Sequence, residues 1–208
     1  MYKNIITTLC VLGVITGCGS SGSTTKDEVV GYKGFLVDAP IKNVDWSCGT
    51  KSGKTLADGA FGICPKNTTV TFSIGNLIIG KAVEAPKDRI VTVQEMLGLD
   101  REDTENETVI ALSALLLSMD EDGDPSNGIT ITDKSVEGLN EAIPKERVFS
   151  LIPKEETQSI TEGVVKRNPQ VSKVPTADEI KQHLQDTNGD IADGTQPAGE
   201  DIKEITTS

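Results

Sequence analysis

Apolar positions change their period once along the chain. From Tyr32 to Val83 they alternate in short runs, with Phe35 and Val37, then Val44 to Cys48, then Val70, Phe72 and Ile74, each run closed by Gly, Pro or Asp-Gly. Alternation with such punctuation predicts short strands joined by tight turns. The clearest hairpin is TVTFSIGNLIIGKAV, where Gly75-Asn76 makes a two-residue turn that needs positive φ and Leu77 to Val83 return. Lys51-Ser52-Gly53-Lys54 and Ala57-Asp58-Gly59-Ala60 read as further turns. About five strands fit this span, enough for a small sandwich.

From Ile90 onward the spacing becomes helical. Thr104-Glu105-Asn106-Glu107 has the form of a capping box and opens a helix whose Val109, Leu112, Leu115, Leu116 and Met119 recur at intervals of three and four. Ile110 and Leu117 widen that stripe, which predicts the most buried helix of the chain. Asp133 starts a second helix with Val136, Leu139 and Ile143 on one face, stopped by Pro144. Residues 154–167 predict a third around Ile160, Val164 and Val165. Thr176 to Glu179 is another capping box, before a last helix marked by Ile180 and Leu184. The reading is therefore α+β: a small antiparallel β-sandwich over 29–85, a helical part over 86–185, and a disordered acidic tail over 186–208.

The start of the chain bears on location. Lys3 precedes an apolar run from Ile5 to Ile15, which suits an export signal and is too short to span a membrane. Ile15-Thr16-Gly17-Cys18 has the form of a lipobox, which predicts a signal peptide over 1–17 and lipid on Cys18; the alternative is an ordinary signal peptide cleaved nearby. Residues 18–28 then serve as a flexible tether. Gly19 is not the aspartate of lipoproteins kept in the inner membrane, so the expectation is a cell-envelope, outer-membrane lipoprotein. Of the four cysteines, Cys10 leaves with the signal and Cys18 takes the lipid. Cys48 and Cys64 remain, and in an oxidising compartment they read as a disulfide, the alternative being two buried thiols. The chain has 32 acidic against 20 basic residues, a net charge of −12, which disfavours nucleic acid as a partner.

The ordered set GFLVDAPI (34–41), Cys48, DGAF (58–61), VTFSIG (70–75) and DGDPSNGI (122–129) resembles a module of gammaproteobacterial lipoproteins that also stands near the start of larger secreted or surface-anchored proteins. The likeness covers residues 31–185, and its strand part is also similar to carboxypeptidase-regulatory sandwiches. It implies location and architecture rather than an activity.

The stretch SMDEDGDPSNGITITD (118–133) carries the most chemistry. Calcium takes six to eight oxygens, and helix-loop-helix calcium loops supply them from alternate carboxylates and a final acidic side chain. Asp120, Asp122 and Asp124 hold the alternate positions, although Pro125 stands where such a loop has glycine. With two extra residues in the loop, Ile129 becomes its central hydrophobe and Asp133 its closing ligand. The competing reading is a polar turn that stops one helix and caps the next. Asp186 to Asp190 repeats the spacing without a closing acid in register. His183 is the single histidine and reads as exposed or half-packed, and no histidine-based nucleophilic set, phosphate loop or dinucleotide fingerprint occurs. The expected function is a non-enzymatic surface or envelope interaction module, adhesion-like, tethered to the membrane by lipid, binding a protein or surface polymer, with structural calcium. The alternatives are an accessory lipoprotein of an envelope secretion, conjugation or exclusion system, and an enzyme.

Overall fold

The computed structural model describes residues 27–82, 86–197 and 199–205. Cys18, the signal sequence and the tether to residue 26 lie outside the described residues, as does Val83. The chain is α+β, with strands β1 (Asp27–Val37), β2 (Ile41–Lys42), β3 (Asp45–Cys48), β4 (Lys51–Lys54), β5 (Ala60–Pro65), β6 (Val70–Ile74), β7 (Leu77–Ala82), β8 (Ile90–Thr92), β9 (Ile129–Thr130), β10 (Arg147–Val148) and β11 (Glu200–Ile205). Among them run the helices α1 (Val93–Met96), α2 (Glu107–Met119), α3 (Asp133–Ala142), α4 (Lys154–Arg167) and α5 (Ala177–Ala192).

Two sheets carry the sandwich. In the first, β1 lies between β5 on one edge and, on the other, β11 along its first half and the parallel β8 along its last three residues. The second runs β10-β7-β6-β3-β4. Their inner faces meet where Phe61 of β5 packs edge-on against Phe72 of β6 and Tyr32 of β1, with centroids 5.3 and 6.2 Å away, and against Trp46 of β3 at 6.2 Å. The Phe61 ring lies on β1 because Gly34 has no Cβ, which would meet the ring's Cζ. The Cys48–Cys64 disulfide joins β3 to β5, and so one sheet to the other, with Cα atoms 5.6 Å apart.

The hairpin of β6 and β7 turns at Gly75, φ 53°, as its sequence predicts. Gly59, φ 78°, likewise sits in a tight turn, but this one passes the chain between the two sheets and does not close a hairpin. Lys51 to Lys54 departs from the expected turn and forms edge strand β4, all four residues exposed. Lysines on such an edge keep it from pairing with another chain.

Helix α2 buries Val109, Leu112, Leu115, Leu116 and Met119 completely, and both α4 and α5 pack against it. Its N-cap is Asn106, whose side chain accepts from the amides of Thr108 and Val109, and not the expected Thr104, which is buried. The box at Thr176 and Glu179 forms as expected, and another forms at Thr92 and Glu95.

The largest departure lies beyond residue 185. Residues 186–192 complete α5, and Ile191 packs against the cluster of Phe35, Val37, Ala60 and Ile90. Residues 200–205 add β11 antiparallel to β1, and Asp201 pairs with Arg89. The expected disordered tail therefore closes the first sheet, because backbone pairing with β1 orders a segment that has few apolar residues of its own. By the same route β8, β10 and β11 bring residues from outside 29–85 into the sandwich. No helix among the described residues is long and apolar enough to cross a membrane.

Candidate metal centre

The aspartate loop leaves the C-terminus of α2 and returns through β9 to α3. It forms the seam between sheets and helices, because β9 pairs in parallel with β2: Ile129 stands opposite Ile41, and its amide donates to the Pro40 carbonyl at 2.9 Å. Ile129 and Ile131 are buried. Asn43 donates its side-chain amide to the Ile131 carbonyl at 2.9 Å, and Asn168, at the end of α4, reaches the Asp120 carbonyl. Two of the recognised sequence stretches, DAPI and DGDPSNGI, therefore meet here.

The four aspartates part company. Asp120 is buried, and its Oδ1 accepts from the Thr130 amide at 2.8 Å. Its Oδ2 is also buried and meets no donor among the described residues, while the Asp122 side chain lies within hydrogen-bonding reach of the same carboxyl group. Burial pushes the Asp120 carboxyl above the usual range, the Thr130 amide pulls it back, and the negative charge of Asp122 adds to the rise. Asp122 is held low, first by the side-chain amide of Asn127 at 2.8 Å and then by the Asp124 amide at 3.0 Å.

Asp124 turns the other way. It caps the single helical turn Pro125–Asn127 by accepting from the amide and hydroxyl of Ser126 at 3.1 and 2.6 Å. Pro125 favours this, because its fixed φ suits the first position of a helical turn. Asp133 is exposed in the first turn of α3, behind the N-cap Thr132, where a carboxylate complements the helix dipole. Among the described residues no group of three or more acidic, histidine or cysteine side chains is placed to hold a metal. Asp124 and Asp133 are thus engaged by their own helical turns. What the fold brings together is Asp120 and Asp122, both negatively charged at neutral pH unless a proton or a cation lies between them. The repeat at Asp186 to Asp190 is not a loop at all, since those residues lie within α5.

His183 was not legible as a partner of anything. It reaches from α5 to the end of β1, where its Nε2 lies 3.1 Å from the Asp38 carbonyl and 3.3 Å from Asp38 Oδ1. A separation of 145 residues hid the pair, and the signal that pointed toward it was a charged residue, Asp38, directly after the apolar run Phe35-Leu36-Val37. No protein-family model, curated protein or solved structure matches the chain.

Proposed function

We propose that this chain is a lipid-anchored, non-enzymatic envelope module that engages another macromolecule, and that a divalent cation at Asp120 and Asp122 fixes the seam between its sheets and helices. The observation that supports this reading is the buried, donor-free Oδ2 of Asp120, on a carboxyl group that has the Asp122 side chain within hydrogen-bonding reach. Two such groups repel in a partly desolvated site, and a hard dication offsets both charges at once. Oxygen-only donors favour calcium or magnesium over softer metals. Water completes the coordination shell, and Asp124 and Asp133 take no part. Binding at the seam would hold β9 on β2 and the end of α2 in one arrangement, which presents a fixed surface to a partner.

Thermal unfolding of the full-length protein, in chelator and in millimolar calcium, tests the cation. Calcium at a hundredfold excess over Kd adds about 2.7 kcal/mol, which raises the melting temperature by roughly 5–10 °C in a chain of this size. Asp120→Asn supplies an amide that can donate to Asp122, so this variant is expected to melt no lower than wild type in chelator and to ignore calcium. Identical wild-type curves in the two conditions would mean that no calcium ion stabilises the seam.

The anchor has its own test. Cys18→Ala is expected to shift the protein from the membrane fraction to the soluble fraction and to abolish labelling by a radioactive fatty acid. Labelling retained in that variant would place the lipid on another residue.

A further inference from the structure

Asp38, at the end of β1, has no exposed side-chain surface. Neither of its oxygens takes an aligned hydrogen bond from a described residue. A buried carboxylate without compensation is strongly destabilising, so a fold that keeps one needs a positive charge in contact with it. His183 meets it, with 17% of its side chain exposed. The ring opens on a hollow of about 330 Å3 between α5, the loop at Gly123 and Pro125, and the segment Gln170–Lys173. Besides its apolar contacts through Ile180, Leu184 and Ile191, the buried Thr187 and the amide of Asn188 on the Arg101 carbonyl, α5 is held by the ion pairs Lys181–Glu105 and Lys173–Glu179, and exposed pairs of this kind contribute little.

We infer that the His183–Asp38 pair is a proton-operated latch that seats α5 on the end of β1, closed while the imidazole is charged and loosened when the proton leaves. The Nε2–H can donate to the Asp38 carbonyl in either state. The proton that leaves is the one on Nδ1, so the contact survives while the charge facing the buried carboxylate is lost. Other charges facing the ring are few: Asp186, one turn along α5, also favours the imidazolium, while Lys173 and Glu179 line the same hollow but bind each other at 2.8 Å. From α2 the hollow receives only Leu117. Burial lowers the histidine's pKa, and the Asp38 side chain and carbonyl outweigh it, leaving a net rise. For a histidine raised in the folded state, the stabilisation is fully present below the unfolded value of about 6.5 and is lost as pH rises through the folded value. The consequence reaches the groove between α2, α4 and α5, because Ile180 and Lys181 of α5 form one of its walls against Ile110 and Ala114.

Because His183 is the chain's single histidine, its titration can be read without assignment ambiguity. The test is carried out on the full-length protein in detergent micelles, with chelator throughout so that the outcome is independent of the proposed cation. Imidazole NMR shifts and amide exchange are followed from pH 5 to 9. The expected result is a pKa above 6.5, with α5 amides losing protection, relative to those of α2, by about tenfold for each unit of that rise. His183→Gln keeps a donor for the Asp38 carbonyl without a charge, and its α5 is expected to stay at the less protected level at every pH. A pKa at or below 6.5 in the wild-type protein would overturn the latch, and so would α5 protection that does not change through the titration. Neither wild-type reading depends on the variant folding.

Discussion

Phe61→Ala is expected to destabilise the protein by about 3–5 kcal/mol, the range for removing a large aromatic side chain from a rigid core. Phe61 is 1% exposed, and its ring touches those of Tyr32, Trp46 and Phe72, which come from both sheets. In a chain that is only 3% aromatic, this cluster carries an unusual share of the contact between sheets. The surrounding backbone is pinned by β1, β3 and β6 and cannot collapse to fill the cavity. Chemical denaturation should show the loss as a lower midpoint with an unchanged slope. Ile63→Ala, two residues along β5 at a half-exposed position, should change stability by no more than about 0.5 kcal/mol. Equal effects of the two substitutions would mean that the sheets do not meet where described.

Loss of the disulfide is the second large effect. Cys48 and Cys64 are 16 residues apart, and closing a loop of that size restricts the unfolded chain by an amount worth about 3 kcal/mol. The bridge joins one sheet to the other beside the aromatic cluster, so the native state also loses a packed, fully buried contact when both cysteines become alanine. The paired Cys48→Ala, Cys64→Ala variant is expected to melt roughly 6–12 °C below wild type, by the usual relation for a chain of this length. Wild-type protein in strong reductant should approach the same value. An unchanged melting temperature in reductant, with the thiols shown to be free, would contradict the bridge's structural role.

Several parts of this architecture were legible from local chemistry. The β6–β7 hairpin follows from alternation and the Gly75 turn, α2 from its three-four stripe, α4 and α5 from their patterns, and the disulfide from the cysteine count together with the expected compartment. What escaped was set by partners distant in sequence. β11 has little apolar content, and its order comes from the backbone of β1. Thr104 and Asn106 both suit an N-cap, and the burial of Thr104 against the rest of the chain decides between them. Asp120, Asp122, Asp124 and Asp133 look equivalent along the chain. They diverge because Pro125 starts a helical turn that recruits Asp124 as its cap, while α3 takes Asp133 into its first turn. Asp120 differs from the others because α2 ends inside the core and carries that carboxylate with it.

The seam also explains why the loop and the DAPI stretch belong to one unit. Ile41 and Ile129 pair across it, and the Pro40 carbonyl receives the Ile129 amide. Gly128, φ 100°, lies close against Pro40, where an added Cβ would come within 3.0 Å of its carbonyl oxygen. The proposed cation at Asp120 and Asp122 would therefore act on the junction that relates sheets to helices, and not on a peripheral turn.

The most direct test of that claim is a calorimetric titration of calcium into the chelator-treated full-length protein at neutral pH, with Asp120→Asn in parallel. One saturable binding event is expected in the wild-type protein and none in the variant. Absence of binding to the wild-type protein, or binding that survives unchanged in Asp120→Asn, would contradict it and leave Asp120 and Asp122 as a carboxyl pair that shares a proton.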